Sequence, residues 1–593
     1  SLTSIGPKFS NSYDLASCQR TLLHHDPKLA ESMSESQQSS QPESSQSESL
    51  QSADHQGGFR VLVFALLSQV MLWLSFPPVG VSWMVWLAPV PLVWLILNSD
   101  LPAKRPYWQL FYAGLLYWLG TFYFIPIPHP ALWAGWFVVS AYMALYTPIF
   151  VAISRTMIHR LRVPEIVAIP LTFTGIEWFR CNFLTGMGMY CLSHTQYQYP
   201  VVIQVADLFG AYTLTFVIML AATGLTLLVA KFSIRESKTK SSSWPFTFAS
   251  VAVAAGFLIA TLLYGQYRLD EKIQYRNEAS LTFGLIQTSE DVIFGRPTKL
   301  QTEIQIENKF KLTWAARKQW DDLDLIVWPE SGLNPEFDLI SDFDREFTAE
   351  YCAGRVTQFW SDATGFPQLY DSPISVLTGG GTEDPSMKDR FNAALLIGLN
   401  GKINRRYFKN HLVMFGEYVP FARDVPFINS ISPIPSLTPG TKFETIEMNE
   451  VRMAPNICFE TTVPHFIRRQ INTLTADGVE PDVMVNLTND GWFYGTSCLD
   501  AHLACNVFRA VEMRKPLLVC ANTGFSAEID TCGNLLQVGP RRKSTVIRAK
   551  IKPVVRTSLY RQVGDVVPMV FAGICFWVGA IGFFKRSKQN SPN

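Results

Sequence analysis

Three residues in separate stretches of the sequence could together perform nucleophilic catalysis. The stretch PNICFE at 455–460 places the thiol of Cys458 at the end of a predicted strand. The stretch WPES at 328–331 places the carboxylate of Glu330 at the end of another, and Lys409 supplies an ammonium group. A cysteine nucleophile needs thiolate character, and therefore a base or a positive charge nearby. We interpret Cys458 as a nucleophile, Glu330 as its base, and Lys409 as the cation that stabilises a thiolate and an oxyanion.

Each of these residues has a plainer interpretation when it is taken alone. A cysteine at the end of a strand usually belongs to the core, and a single lysine or glutamate usually lies on a solvated surface. A carbonyl substrate would also need donors for the developing oxyanion, and the backbone N–H that follows Cys458 could supply one. The chemistry therefore depends on a fold that brings the three residues together.

Composition narrows the class of protein. A chain of 593 residues is too long for one ordinary core. The net charge of +1 gives no argument for a nucleic-acid partner. The ten cysteines show no CxxC pair and no Cys/His ligand spacing, so we predict no metal site and no cofactor.

Apolar segments fill much of the sequence before residue 266. Each is near the length of about 20 residues that crosses a bilayer as a helix. The predicted spans are 59–76, 80–98, 107–126, 131–154, 164–180, 201–231 and 246–265, with an eighth at 564–584. Residues 1–57 are rich in Ser, Gln and Glu and are predicted to form a disordered tail, because they hold too few apolar residues to fold.

Lysine and arginine are concentrated in alternate loops between these spans. They follow the second, fourth, sixth and eighth spans, at 104–105, 155–162, 231–240 and 585–588. The positive-inside rule places such loops in the cytoplasm. Because seven spans precede the block from 270 to 553, this block is predicted to lie on the opposite side of the membrane.

Two charged residues lie at the end of the fifth span. Charge within a membrane is costly and often marks a functional site. An arginine at a helix end can instead extend its guanidinium to the lipid headgroups. For Glu177 and Arg180 we favour the structural interpretation, in which Arg180 reaches the headgroups.

The block after the seventh span alternates strand and helix patterns. Predicted strands are 281–288, 325–329, 374–379, 393–399, 450–458, 483–487, 517–521 and 546–551. Helical patterns fit 298–319, 463–476 and 500–514, and Asn400-Gly401 and Cys532-Gly533-Asn534 are predicted turns. Several strands are almost continuously apolar, as strands buried on both faces should be. The block is therefore predicted to be a layered α/β domain.

The order and wording of these motifs resemble the nitrilase superfamily. The matching stretches are WPES at 328–331, NGKI at 400–403, the Lys409 segment, ICFE at 457–460 and LTNDGWF at 487–493. The stretches HLVMFGEYVP at 411–420, NDGWF at 489–493 and NTG at 522–524, with His502, Arg509 and Glu512, narrow the resemblance to the bacterial apolipoprotein N-acyltransferase family. The resemblance implies a Glu-Lys-Cys triad on an α-β-β-α sandwich, joined to eight transmembrane helices.

The resemblance also implies a function. The expected reaction transfers a fatty acyl chain from a membrane phospholipid, through a thioester on Cys458, to the α-amino group of the lipid-modified N-terminal cysteine of an apolipoprotein. The expected location is the bacterial inner membrane, with the catalytic domain on the periplasmic side, and we expect a monomer. The expected divisions are a tail at 1–57, seven helices within 58–266, a catalytic domain at 280–552 and a last helix at 564–584.

Further residues receive expected roles from the same resemblance. Glu417 is expected to orient Lys409, and Glu460 to brace the strand of the nucleophile, although both could be ordinary structural residues. A substrate pocket or lid is expected to include Trp328, Phe415, Phe459 and Trp492. Trp328 could instead simply pack in the core, and the stretch 489–493 could be only a structural turn. The apolar run at 411–437 could be a lid that dips into lipid or an ordinary capping loop.

The sequence departs from the family pattern at several positions. Met414 stands where the family usually has Pro, Phe459 where Tyr is common, and Phe408 where a small polar residue is usual. The stretch between Trp328 and Gly379 is enlarged and acidic. These departures leave the reaction class intact and bear on acyl-chain and head-group preference.

Two other functions compete with this interpretation. A membrane-anchored nitrilase-type amidohydrolase would use the same triad with water as acceptor, but it would not need eight spans. A transporter or sensor with an extracytoplasmic binding domain is disfavoured, because the spans hold few central ionisable residues.

Overall fold

The computed structural model describes most of the chain. The described residues are 60–101, 103–130, 132–232, 243–292, 298–333, 373–384, 389–399, 403–420 and 436–589. The predicted tail at 1–57, the Asn400-Gly401 turn, residues 421–435 of the predicted lid and most of the enlarged acidic stretch lie outside these ranges.

Apolar helices make up the N-terminal part. They are α1 (Arg60–Ser75), α2 (Val90–Leu97), α3 (Pro106–Thr121), α4 (Leu132–Ala144), α5 (Tyr146–Arg155), α6 (Glu165–Asn182), α7 (Tyr212–Phe232) and α8 (Trp244–Asp270). Within the described residues, three helical segments are long and apolar enough to cross a membrane, namely Leu132–Arg160, α7 and α8. Helical residues occur at every predicted span, and the crossing of the membrane by all eight stays a prediction.

The outward face of α8 carries large apolar side chains. Phe248 is 59% exposed and Leu263 is 67% exposed. Leaving apolar surface in water costs about 25 cal/mol for each Å². Such a continuous apolar face is typical of a helix that contacts lipid.

The sixth predicted span, 201–231, is wrong in its first third. Two short helices, Pro200–Ile203 and Ala206–Phe209, come before Gly210, whose φ of +76° is in the left-handed region. The membrane-type helix then begins at Tyr212. The mostly apolar sequence of 201–231 hid this break, although Gln204 and Asp207 interrupt it, because hydropathy does not report backbone direction.

The broken segment forms a junction with the sheet domain, made by Gln204, Asp207, Glu512 and Arg514. The guanidinium of Arg514 is fully buried and donates to Asp207 Oδ2 at 2.9 Å and to Gln204 Oε1 at 2.6 Å. Glu512 Oε1 accepts the backbone N–H of Ala211 at 2.8 Å. Charged and polar contacts therefore connect the apolar helices to the domain that follows them.

The predicted placement of Arg180 at the headgroups is wrong. Its side chain is buried and donates to three backbone carbonyls within 187–190 at 3.0–3.3 Å. Glu177 lies 3.8 Å away and accepts the N–H of Leu192 and the hydroxyl of Thr215. The pair has a structural role, as interpreted, but it acts by holding the loop after α6 inside the protein.

The sheet domain contains two six-stranded sheets. Their strands are β1 (Leu281–Gln287), β2 (Leu325–Val327), β3 (Ser375–Asp384), β4 (Asp389–Ile397), β5 (Ile403–Phe408), β6 (Ile446–Met448), β7 (Val451–Ile457), β8 (Val483–Thr488), β9 (Leu517–Ala521), β10 (Ala527–Ile529), β11 (Leu535–Val538) and β12 (Thr545–Ile551). The first sheet has the order β12-β1-β2-β3-β4-β5, and the second has the order β11-β10-β9-β8-β7-β6. The predicted strands are confirmed, with boundary shifts that are largest at β3 and β4.

Strand direction decides where the polar residues meet. β1, β2 and β3 are parallel neighbours, with Phe283 opposite Leu325 and Leu325 opposite Ser375. β7, β8 and β9 are also parallel neighbours, with Met453 opposite Val483 and Met484 opposite Leu517. In each sheet, the carboxyl ends of the three parallel strands therefore lie at one edge.

The two sheets pack face to face through alternate side chains. In β2, Leu325 and Val327 join the core between the sheets, whereas Ile326 faces the helical layer. Helix α9 (Lys299–Gln319) covers the first sheet. Both faces of β2 are therefore buried, which explains its continuous apolar sequence.

Two helices cover the second sheet. They are α10 (Pro464–Ala476) and α11 (Cys498–Met513), and every residue of α11 except Asp500 is buried. One face of α11 lies on the second sheet. Its opposite face lies against the apolar helical part, where Phe508 packs against His194. The short helix α12 (Leu559–Val563) then leads to α13 (Val566–Gln589). The domain is a nitrilase-like α-β-β-α sandwich, as expected.

Candidate active site

The three predicted catalytic residues all follow strands of the sandwich. Glu330 comes three residues after β2, Lys409 directly follows β5, and Cys458 directly follows β7. Asn489 directly follows β8, the neighbour of β7. Because these residues follow the ends of strands, the fold places residues that are far apart in sequence at one site.

Glu330 and Lys409 are neighbours within a buried cluster. Lys409 Nζ lies 3.6 Å from Glu330 Oε1 and 2.8 Å from Glu417 Oε1. The backbone N–H of Asn489 donates to Glu330 Oε2 at 2.9 Å. Glu417 Oε2 accepts the N–H of Val413 at 2.8 Å. Glu417 therefore contacts Lys409 in the way that was expected.

The charge of Lys409 is secured by these two carboxylates. Its side chain is 1% exposed, and burial alone lowers the pKa of an ammonium group. The carboxylates of Glu417 and Glu330 raise the pKa of Lys409 by more, so that the net pKa lies above its ordinary value. The ammonium group is therefore a permanent positive charge inside the site.

Asn392 on β4 is a site residue that the sequence analysis missed. Its Nδ2 donates to Glu330 Oε1 at 2.8 Å and to Glu417 Oε1 at 3.1 Å. One amide thereby connects the two carboxylates that flank Lys409. A signal was present, because asparagine is uncommon in strands and here it precedes the apolar run AALLI.

Cys458 has an uncommon backbone conformation. It starts the 3-10 helix Cys458–Thr462, and its φ of +50° is in the left-handed region. For a residue other than glycine this costs about 1 kcal/mol or more. A sharp turn from strand to helix places a nucleophile at the end of the sheet, free of the strand's hydrogen-bond ladder.

The thiol of Cys458 is held in its neutral form at rest. Burial raises its pKa, and the carboxylate of Glu330 raises the pKa further. Lys409 lowers the pKa only in part, so that the net value is well above that of a free cysteine. Attack by this thiol therefore requires a base that takes the proton as the new bond forms.

Glu460 accepts hydrogen bonds from the elements on both sides of the nucleophile. Its Oε2 accepts the N–H of Ile457 at 2.8 Å, and its Oε1 accepts the N–H groups of Asn410 and His411 at 2.7 and 3.1 Å. The hydroxyl of Tyr407 also donates to it at 2.8 Å. One carboxylate therefore ties the residue before Cys458 to the residues after Lys409.

Replacement of Glu460 by Gln should loosen this connection. A glutamine places an NH2 group against at least one backbone N–H, so we expect a loss of about 1–3 kcal/mol in the free energy of unfolding and a lower catalytic rate. Thermal unfolding in detergent and the rate of acyl transfer measure the two effects. The exposed Glu447→Gln is the control, and equal behaviour of the two variants would refute the role.

Two family models match the chain in succession. The model described as "Apolipoprotein N-acyltransferase N-terminal domain" matches residues 68–224, within the apolar helices. The model described as "Carbon-nitrogen hydrolase" matches residues 278–561, which include both sheets and all the residues of the site. The chain belongs to the apolipoprotein N-acyltransferase family.

Relatives that carry this family name align along nearly their whole length. The apolipoprotein N-acyltransferase of Rhodopirellula baltica is 28% identical over 84% of this chain and 92% of its own. That of Geobacter metallireducens is 28% identical over 89% of this chain and 96% of its own. Among solved structures, Saccharomyces cerevisiae Nit3 of the nitrilase superfamily is 17% identical, covers 46% of this chain and 91% of its own, and has a TM-score of 0.33.

Residues at which the chain departs from the apolipoprotein N-acyltransferase pattern lie around Lys409. Phe408 stacks on Phe391 with ring centroids 4.5 Å apart. Phe459 lies against the ring of His411, with centroids 6.0 Å apart. His411 Nε2 is 3.1 Å from the carbonyl of Thr185, in the loop after α6. The contact of His411 with Thr185 connects the start of the predicted lid to the loop after α6.

The predicted pocket residues fall into two groups. Trp328 is fully buried, packs on Phe310 of α9 and donates to Thr313 Oγ1 at 3.0 Å. Its assignment to the pocket is wrong, because Trp328 follows Val327 and alternation turns it toward the helical layer. Phe415 and Trp492 are 57% and 38% exposed. Both remain available to contact a substrate, although their place in a pocket stays a prediction.

The described part of the chain offers no obvious metal centre. Within those residues, no group of three or more His, Cys, Asp or Glu side chains is arranged to hold a metal ion. The ionisable groups at the site instead hydrogen-bond to one another and to backbone N–H groups.

Proposed function

We propose that this protein transfers a fatty acyl chain from a membrane phospholipid to the α-amino group of the N-terminal S-diacylglyceryl-cysteine of apolipoproteins, the last step of bacterial lipoprotein maturation. The observation that carries the proposal is the meeting of Glu330 and Lys409 beside a partly buried thiol, Cys458, in a domain joined to apolar helices. The names of the relatives support an apolipoprotein as the acceptor and an acyl group as the group transferred to nitrogen. The phospholipid donor is part of the proposal.

The first half-reaction makes an acyl-enzyme. Cys458 Sγ attacks the ester carbonyl of the phospholipid while Glu330 takes the thiol proton. The ammonium of Lys409 and the backbone N–H of Phe459 stabilise the oxyanion of the tetrahedral intermediate. Glu330 then returns the proton to the departing alkoxide, and a lysophospholipid leaves. The acyl chain is now a thioester on Cys458.

The second half-reaction transfers the acyl chain to the lipoprotein. The α-amino group attacks the thioester carbonyl, and Glu330 takes a proton from the attacking nitrogen. The Cys458 thiolate leaves from the tetrahedral intermediate and regains a proton from Glu330. Lys409 stabilises the negative charge in both half-reactions, which is why a cation that stays charged suits the site.

The proposed orientation places the sheet domain on the periplasmic side of the inner membrane, with eight transmembrane helices. We further propose a tail at 1–57, membrane helices within 58–266 and at 564–584, and a catalytic domain at 280–552. Positive charge in alternate loops supports this arrangement. Alkaline phosphatase fused after Asp270 should be active in cells, and the same enzyme fused after Lys240 should be inactive. The reverse pattern would refute the orientation.

The reaction is tested by following the mass of the protein. Purified protein mixed with phospholipid should gain the mass of one acyl chain, and hydroxylamine should remove it because thioesters are labile to it. Addition of a synthetic diacylglyceryl-cysteine peptide should discharge the acyl chain to the peptide as an amide. A protein that gains no mass, or a peptide that stays unacylated, would contradict the proposal.

A second candidate is a membrane-anchored amidohydrolase of the nitrilase type. The match of residues 278–561 to the carbon-nitrogen hydrolase model favours the same triad with water as acceptor. The match of residues 68–224 to an acyltransferase domain favours transfer to an amine instead. Release of free fatty acid or ammonia, without an acylated peptide, would select the hydrolase.

A further inference from the structure

The ring of His502 lies between a carboxylate and the backbone of the nucleophile. His502 belongs to α11 and is 4% exposed. Its Nε2 is 3.1 Å from the carbonyl oxygen of Cys458, and its Nδ1 is 3.1 Å from Asp490 Oδ1. The proposed mechanism uses neither His502 nor Asp490, although both are buried within contact distance of the nucleophilic residue or of its neighbours.

Both of these partner atoms accept hydrogen bonds and neither can donate one at neutral pH. His502 donates a hydrogen bond to the carbonyl oxygen and to the carboxylate oxygen at the same time only when both of its ring nitrogens carry protons. Burial lowers the pKa of His502, but Asp490, the hydrogen bond to the Cys458 carbonyl and the charge of Glu330 raise it by more, to a net value above the ordinary one. The geometry and the charges both favour the imidazolium form.

The Cys458 carbonyl belongs to the same peptide unit as the N–H of Phe459. In a trans peptide these two groups point in opposite directions within one plane. A donor that fixes the carbonyl therefore also fixes the direction of the N–H, and it polarises the unit so that the N–H becomes a stronger donor. Phe459 N–H is the backbone donor that the mechanism assigns to the oxyanion.

Other side chains also hydrogen-bond to this peptide or to Asp490. Thr461 Oγ1 and Asn486 Nδ2 also point to the Cys458 carbonyl, at 3.3 and 3.4 Å. Thr488 Oγ1 donates to Asp490 Oδ1 at 3.0 Å and keeps that carboxylate beside the ring. Asp490 and Glu330 are the charged groups that act on His502, and Thr461 and Asn486 are its neutral neighbours.

We propose that His502 is a positioning residue for the oxyanion site: held by Asp490, its imidazolium fixes and polarises the Cys458–Phe459 peptide so that the Phe459 N–H faces the developing negative charge. The same contact secures the left-handed conformation of Cys458. This inference rests on the proposed function, because it requires Cys458 to be the acylated residue. His502 acts through the peptide and does not touch the substrate.

The test compares His502→Gln with the wild type across pH. A glutamine can keep a neutral donor to the carbonyl but carries no charge. The rate of acyl-enzyme formation, followed by intact mass with a phosphatidylethanolamine donor, should fall about 10- to 100-fold near pH 6, the effect of losing a hydrogen bond to a charged group. His502 loses its proton as pH rises through its raised pKa, so the ratio of the two rates should shrink toward pH 9. KM for the phospholipid should not change.

Two further variants serve as a control and as a second test of the role of His502. His194→Gln replaces another buried histidine, whose ring packs on Phe508, and should keep the wild-type pH profile. Asp490→Asn retains the His502 ring but removes the charge that holds its proton. The acylation rate of this variant should therefore fall to that of His502→Gln at a lower pH than the wild-type rate does. If either His502→Gln or Asp490→Asn fails to fold, the other variant still tests how the acylation rate changes as His502 loses its proton.

The outcomes separate this inference from the proposed function. Identical pH profiles for the wild type and a folded His502→Gln, or for the wild type and a folded Asp490→Asn, would overturn the role of His502 while acyl-enzyme formation stands. A wild-type protein that never forms a thioester would refute the proposed function itself. A large rise in KM alone would place His502 in substrate binding and also overturn the inference.

Discussion

Replacement of Cys458 by Ser should abolish the acyl-enzyme. The wild type gains one hydroxylamine-labile acyl chain, and the variant should gain none, with transfer to a diacylglyceryl-cysteine peptide reduced by about 10⁴-fold or more. A serine hydroxyl in the same position is a far weaker nucleophile, and the neighbouring base is a single carboxylate. Intact-protein mass and peptide acylation give the two readouts.

The matched control is Cys575→Ser. Cys575 is also buried, and its Sγ donates to the carbonyl of Thr172 within the apolar helices, a contact that a serine can keep. This variant should form the acyl-enzyme at the wild-type rate. A Cys458→Ser protein that still accumulated a thioester would place the acyl chain on another cysteine, and the proposed assignment would be wrong.

Replacement of Lys409 by Met should cost both stability and activity. The side chain of Lys409 lies 2.8 Å from Glu417 and 3.6 Å from Glu330. Removing its charge leaves a buried carboxylate, that of Glu330, and a partly buried one, that of Glu417, without a cation. We therefore expect a loss of about 3–5 kcal/mol in the free energy of unfolding. The oxyanion would also lose its cation, and acyl transfer should fall by about 10³-fold. Unfolding in detergent and single-turnover acylation measure these effects.

A second buried lysine separates stability from catalysis. Lys309 pairs with Glu290 at 2.9 Å, away from Cys458, and its side chain is 3% exposed. Lys309→Met should lose stability while the folded fraction keeps its rate of acylation. The double variant Lys409→Met with Glu417→Gln should recover part of the stability and none of the activity. Substantial acylation by folded Lys409→Met would remove Lys409 from the mechanism.

The sequence predicts the sheet domain well because its strands are buried on both faces. Strands such as β2 and β9 are continuous apolar runs, and these runs could be recognised in the sequence. Glu330 and Cys458 were recognisable because each follows such a strand directly or within a few residues. The resemblance to a known family then supplied the pairing of these two residues with Lys409.

The site residues that were predicted wrongly or not at all have local physical explanations. Trp328 was expected in the pocket, but alternation along β2 places it on the other face of the sheet. Asn392 was missed and His502 received no role, because their partners, Glu330 and the Cys458 carbonyl, are distant in sequence. The position of Asn392 in a strand marks an unusual polar residue, but nothing in the sequence identifies its hydrogen-bond partners.

The junction described above has a consequence for substrate selection. Separating the sheet domain from the helices would break the buried ion pair of Arg514 with Asp207, at a cost of about 3–5 kcal/mol. The two parts should therefore move in the bilayer as one body. In the proposed orientation, the thiol then stays at a constant height above the membrane plane. Such an enzyme accepts an ester or an amine only where the lipid places that group at the height of the thiol.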